Sequence, residues 1–159
     1  MTHDFETFTL TRNIATAPET VFRLWSDARL KARWFAEEES PDWSTVSHEG
    51  SLEIGGTERM VFEHVEMGRF TLVTHTLIAA PPHRYVYAYR MDAGDMPITA
   101  SLVTIALSAV EDGTAPTLTE QINFIDGGDT LDTRIPGTEH VLDKLARAAE
   151  AFTQEGPHP

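Results

Sequence analysis

One stretch limits what this chain can fold into more than any other. Thr117-Leu118-Thr119-Glu120-Gln121-Ile122-Asn123-Phe124-Ile125 alternates in hydropathy, then passes through Asp126-Gly127-Gly128-Asp129 into a long helical run. Leu118, Glu120, Ile122 and Phe124 share one strand face, and Thr117, Thr119, Gln121 and Asn123 the other. In the helical run, Val141, Leu145, Ala149 and Phe152 recur at spacings of four, four and three, widened by Leu142 and Ala148. Lys144, Arg147, Glu150 and Gln154 mark its polar side. A helix with one broad apolar face needs an apolar sheet to lie on, and the residues before it read as that sheet.

Phe5 to Ile14 alternates as a first strand, rich in β-favouring threonine. Thr16 or Ala17 then caps a helix with Pro18 near its first position and Val21, Phe22 and Trp25 as its buried stripe. Asp27 caps a second short helix carrying Leu30, Trp34 and Phe35. Trp25 and Trp34 read as the core of that pair. Residues 37–44 lack periodicity and read as an exposed loop in which Trp43 either guards a cavity mouth or lies on the surface. Five further strands follow, Val46–Ile54, Glu58–Val65, Arg69–Ile78, His83–Met91 and Ile98–Val110, joined by turns of two to six residues into an antiparallel meander that continues into Thr117–Ile125. This order predicts one α+β domain over 1–159, with a core of about 5–152 and a frayed tail at 155–159. A curved sheet around one helix leaves a space suited to a small apolar ligand.

Composition removes several function classes. Twelve basic against 25 acidic residues leave a net charge of −13, which argues against nucleic-acid binding and against adhesion to an anionic membrane surface. No apolar run reaches the roughly 18 residues of a membrane helix, and the start lacks a signal-peptide pattern, so a cytoplasmic protein is expected. With no cysteine, and with seven histidines at no ligand spacing, neither a metal nor a cofactor is expected. Neither a nucleophile elbow nor a phosphate loop is present.

At this point the residues resemble a family. Trp34-Phe35, Pro81-Pro82-His83-Arg84-Tyr85-Val86-Tyr87, Ser101-Leu102-Val103-Thr104, Arg134 with Gly137, and above all Thr119-Glu120-Gln121-Ile122-Asn123-Phe124-Ile125-Asp126-Gly127 are similar to bacterial homologues of the activator of Hsp90 ATPase, in the SRPBCC (Bet v 1/START-like) superfamily. The resemblance covers about residues 5–152. It implies a helix-grip fold, a seven-stranded curved antiparallel sheet around the C-terminal helix with a cavity between. Pro136 departs from the family pattern, so the helix either kinks there or starts late, near Pro136.

Glu120 is the informative polar residue, because Leu118 and Ile122 two positions away place it on an apolar face. Two uses are open. It is a structural group, turned out by a bulge or bonded to a neighbouring strand or to Arg134; or it is a polar anchor or general base in the cavity. Tyr85, Tyr87, Tyr89 and Met91 share one face of their strand, and hydropathy alone leaves open whether that face looks inward. His75 alternates with Val73 and Leu77. The expected ligand cavity is therefore lined by His75, Tyr85, Tyr87, Tyr89, Leu118, Glu120, Ile122, Val141 and Leu145. The leading functional expectation is binding of a small hydrophobic molecule by a monomer or homodimer. Interaction with an Hsp90 homologue and cyclase- or dehydratase-like chemistry through Glu120 are the alternatives.

Overall fold

A computed structural model describes residues 3–36 and 40–154. The elements, in order, are β1 (His3–Thr11), α1 (Pro18–Ser26), α2 (Ala28–Trp34), β2 (Trp43–Gly50), β3 (Thr57–His64), β4 (Gly68–Ala80), β5 (Arg84–Ala93), β6 (Met96–Val110), β7 (Gly113–Ile125) and α3 (Leu131–Gln154). The seven strands form one antiparallel sheet in the order β1-β7-β6-β5-β4-β3-β2. This is the expected meander, with β1 brought in beside the last strand. The three helices pack on one face of it, and Phe8, Tyr87, Val103, Ile122, Leu142 and Leu145 are part of the shared core.

The two short helices form as their ends dictate. Pro18 occupies the first turn of α1, where a missing N–H costs nothing. Asp27 accepts from the backbone N–H groups of Arg29 and Leu30 at 3.0 and 3.1 Å, capping α2. Trp25 and Trp34 are both buried, and Trp34 Nε1 donates to the Leu24 carbonyl at 2.8 Å, which locks the helix pair.

Three expectations change. Trp43 belongs to β2, not to a loop: β2 starts three residues before the expected Val46 and ends at Gly50 instead of Ile54. The Trp43 ring packs on His64 at 4.8 Å and Phe70 at 5.7 Å, so cross-strand aromatic contact outweighs the polar residues before it. At Gly50 the backbone has φ 106°, and a Cβ would run into the Thr57 carbonyl oxygen, so only glycine can end the strand this way. The C-terminal helix starts at Leu131, five residues ahead of Pro136, and continues through it, so the late start does not occur. A proline this near the N-terminus forfeits a single intrahelical hydrogen bond. Lys144, expected on the solvent side, reaches the end of α2 and donates to the Phe35 carbonyl at 2.7 Å. The expected frayed tail at 155–159 and residues 37–39 of the expected loop lie outside the described residues.

Candidate functional site

Directly opposed residues of antiparallel strands point to the same side, so the register assigns the faces. Tyr87 stands between Thr76 of β4 and Val103 of β6, Val103 opposes Glu120 of β7, and Glu120 opposes Phe8 of β1. Tyr85 and Tyr87 are buried against Phe22 and Trp25 of α1, with ring centroids 6.0 Å apart in each pair. The tyrosine face is therefore the inward, concave one. Two rows further, Met91 opposes Leu72 of β4 and Thr99 of β6, and Leu72 opposes Met60 of β3, which puts all four on the same concave side.

Glu120 is 2 % exposed and points inward, as its apolar neighbours imply. Its Oε2 accepts from Tyr89 Oη and Ser101 Oγ, both at 2.7 Å, and from Arg134 Nη1 at 3.4 Å. Arg134 comes from the first turn of α3 and is itself buried. Its Nη1 also donates to Tyr89 Oη at 2.6 Å, Nη2 to Asp129 Oδ2 at 2.7 Å and Thr99 Oγ1 at 3.0 Å, and Nε to Asp129 Oδ2 at 3.0 Å. Burial works to lower the Arg134 pKa, but Tyr89, Glu120 and Asp129 outweigh it and raise the value, so the guanidinium stays charged. The cluster clamps the start of α3 to β5, β6 and β7. The two carboxylates make burial of the cation tolerable, and the cation does the same for them.

A second buried charge cluster occupies the other end of the concave face, and the sequence reading did not include it. Lys31 of α2 is 3 % exposed and Glu58 of β3 is 2 % exposed. Lys31 Nζ donates to Glu58 Oε1 at 2.8 Å, and His48 Nε2 lies 2.7 Å from Glu58 Oε2. The ammonium is boxed by the rings of Phe35, Trp25 and Tyr87, at 4.9, 5.7 and 5.9 Å from their centroids. The signal that singled out Glu120 was present here too: Glu58 alternates with Met60 and Phe62, two inward residues. Lys31 carried no such signal, since in a helix of two turns a lysine reads as a solvated residue.

Of the expected cavity residues, Tyr85, Tyr87, Leu118, Glu120, Ile122 and Leu145 are buried on the inner side, and Tyr89 and Val141 are half-buried against the core. His75 is the exception. It is exposed on the outer face, opposite Thr57, whose Oγ1 is 3.1 Å from His75 Nδ1. Alternation with Val73 and Leu77 pointed it the wrong way because β4 buries threonines, Thr74 and Thr76, on its inner face. Thr76 makes a 2.7 Å hydrogen bond with Tyr85 Oη, and Leu77 is left exposed. A separate cleft of about 190 Å³ lies between the helix pair and the end of α3, lined by Leu24, Leu30, Arg33, Trp34, Ala148, Ala151 and Phe152. It contains none of the expected site residues.

The three tyrosines are the only ones in the chain, and each has a raised pKa. Burial is the main cause in all three; at Tyr89 the charge of Glu120 adds to it and that of Arg134 opposes it. Above pH about 10 the unfolded chain releases phenolic protons that the folded chain retains. Stability is therefore complete below that pH and falls as pH rises beyond it, by up to about 1.4 kcal/mol per pH unit for each phenol. Tyrosinate absorbance at 295 nm should stay flat until the chain unfolds in alkali, and then appear in one step. A gradual rise near pH 10 with intact circular dichroism would show that the phenols are open to water.

The family model for activator of Hsp90 ATPase homolog 1-like proteins matches residues 15–150. The chain belongs to that family. A solved protein of Rhizobium leguminosarum is 32% identical with a TM-score of 0.87, covering 94% of this chain and 97% of its own. One from Rhizobium loti is 30% identical with a TM-score of 0.83, covering 93% and 99%. The solution structure of an activator-like protein from Aeromonas hydrophila, at 22% identity and a TM-score of 0.69 over 97% and 99% of the chains, shares the fold. No curated protein matches the sequence. The helix-grip architecture is thus that of the family. Among the described residues no helix is long and apolar enough to cross a membrane.

Proposed function

We propose that this family member binds a small, mostly apolar molecule between the concave face of the sheet and the N-terminal half of α3. One observation carries the reading: inward-facing apolar side chains are left only partly buried there. Phe70 and Leu72 of β4 and Met91 of β5 lie on the concave side by register, and Ile135 and Val141 of α3 pack against the core, yet all five remain partly accessible. Apolar groups aimed inward and still open to solvent form a trough that gains from being filled. Its polar end is the Tyr89–Glu120–Arg134 cluster. As for Glu120, its Oε2 already holds three donors, which suits anchoring and positioning better than proton abstraction.

The test is a thermal-shift and native mass-spectrometry screen of fatty alcohols, amines and acids and of small aromatic metabolites. At a hundred times its dissociation constant, a ligand should stabilise the chain by about 2.7 kcal/mol, raising Tm by several degrees. Leu72→Trp, which fills the trough, should abolish the shift, whereas Ala151→Trp, which covers the cleft between the helix pair and α3, should leave it. The reverse outcome would move the site to the cleft. No binder in the screen would sink the reading.

A further inference from the structure

We infer that the polar end of the trough accepts a hydrogen-bond donor, such as an amine or a hydroxyl, and rejects a carboxylate; this rests on the ligand-binding reading above. A buried arginine beside an apolar trough suggests an anchor for an acid. The hydrogen bonds of Arg134 say otherwise. A guanidinium has five N–H groups, and here all five have acceptors. Nε meets Asp129, Nη1 meets Tyr89 and Glu120, and Nη2 meets Asp129 and Thr99. No donor is left for a ligand oxygen unless an existing bond breaks.

The hydroxyls of Tyr89 and Ser101 are spent in the same direction. Tyr89 and Ser101 both direct their O–H hydrogens at Glu120 Oε2. What these groups can still offer an incoming molecule is lone pairs, on Tyr89 Oη, Ser101 Oγ and Asp129. The charge count agrees: two carboxylates, Glu120 and Asp129, surround one guanidinium, which leaves the cluster one unit negative. Asp132 and Glu139 follow on the same helix, in a chain of net charge −13. An anionic head would lose its hydration, find no free guanidinium donor and meet uncompensated negative charge. A donor head would complete the lone pairs, and a cationic one would also balance the charge.

Three probes with one apolar body and different heads test this on the intact chain: tryptamine, indole-3-ethanol and indole-3-acetate, titrated at pH 7 by calorimetry and by amide chemical shifts. The amine and the alcohol should bind at least about tenfold more tightly than the acid. Asp129→Asn removes one negative charge and weakens the hold on Nε and Nη2. It should improve binding of the acid and weaken that of the amine, an opposite movement that a merely structural role of Asp129 would not produce. Equal or tighter binding of the acid to the wild-type chain overturns the inference while leaving the trough intact as a binding site. So does an equal change for all three probes in Asp129→Asn. Binding of none of the three, with the amide resonances of β4, β5 and α3 unmoved, sinks the trough reading and this inference with it. If Asp129→Asn does not fold, the wild-type ranking decides alone.

Discussion

Arg134→Met should destabilise the fold by about 3–5 kcal/mol, measured by urea unfolding at neutral pH. Methionine fills much of the same volume beside Met91, so little of the loss comes from packing. It comes from stranding Glu120, which is 2 % exposed, with only the Tyr89 and Ser101 hydroxyls, and from leaving Asp129 without its guanidinium. Adding Glu120→Gln to Arg134→Met should recover about 1–2 kcal/mol, because the stranded charge is then gone. A loss below about 1 kcal/mol for the single variant would mean that the carboxylates reach water easily, and that the cluster does not hold α3 to the sheet.

Lys31→Met should have a comparable effect, again about 3–5 kcal/mol. Glu58 would keep only His48, at the rim of the cluster with a side chain 12 % exposed, while its own side chain is 2 % exposed. The methionine would still fill the box of Trp25, Phe35 and Tyr87, so aromatic packing is largely preserved. The expected signature is strong coupling in the double-mutant cycle. Lys31→Met with Glu58→Gln should be more stable than Lys31→Met alone, since an apolar group beside a neutral amide costs less than one beside a buried carboxylate. If the two losses simply add, Lys31 and Glu58 do not act as a pair, and the 2.8 Å contact is of no energetic consequence.

The two clusters explain why the interior of this fold was only half legible. Glu120 could be placed facing inward because period-two alternation fixes a side, and a charged residue between Leu118 and Ile122 stands out. Arg134 could be named as one possible partner because the family motif places it just beyond the strand. The Lys31–Glu58–His48 group stayed hidden for a different reason. Its members are separated by 27 and 10 residues and sit on three elements, and only the curvature of the sheet and the seat of the helix pair bring them together. Alternation puts His75 on the wrong side because β4 reverses the ordinary rule, burying Thr74 and Thr76, the latter bonded to Tyr85, and exposing Leu77.

What the chain determines locally is its list of elements: seven strands from alternation and turn residues, two capped short helices, and one long amphipathic helix. These follow from backbone sterics, capping and the two side-chain periods, which act over a few residues and are read directly from their order. The outward side of β4, the passage of α3 through Pro136 and the pairing of each buried charge were decided by the tertiary structure. Each depends on which groups from distant segments share a low-dielectric interior. There a lysine or a glutamate is tolerated only where the fold delivers its partner to within hydrogen-bond distance.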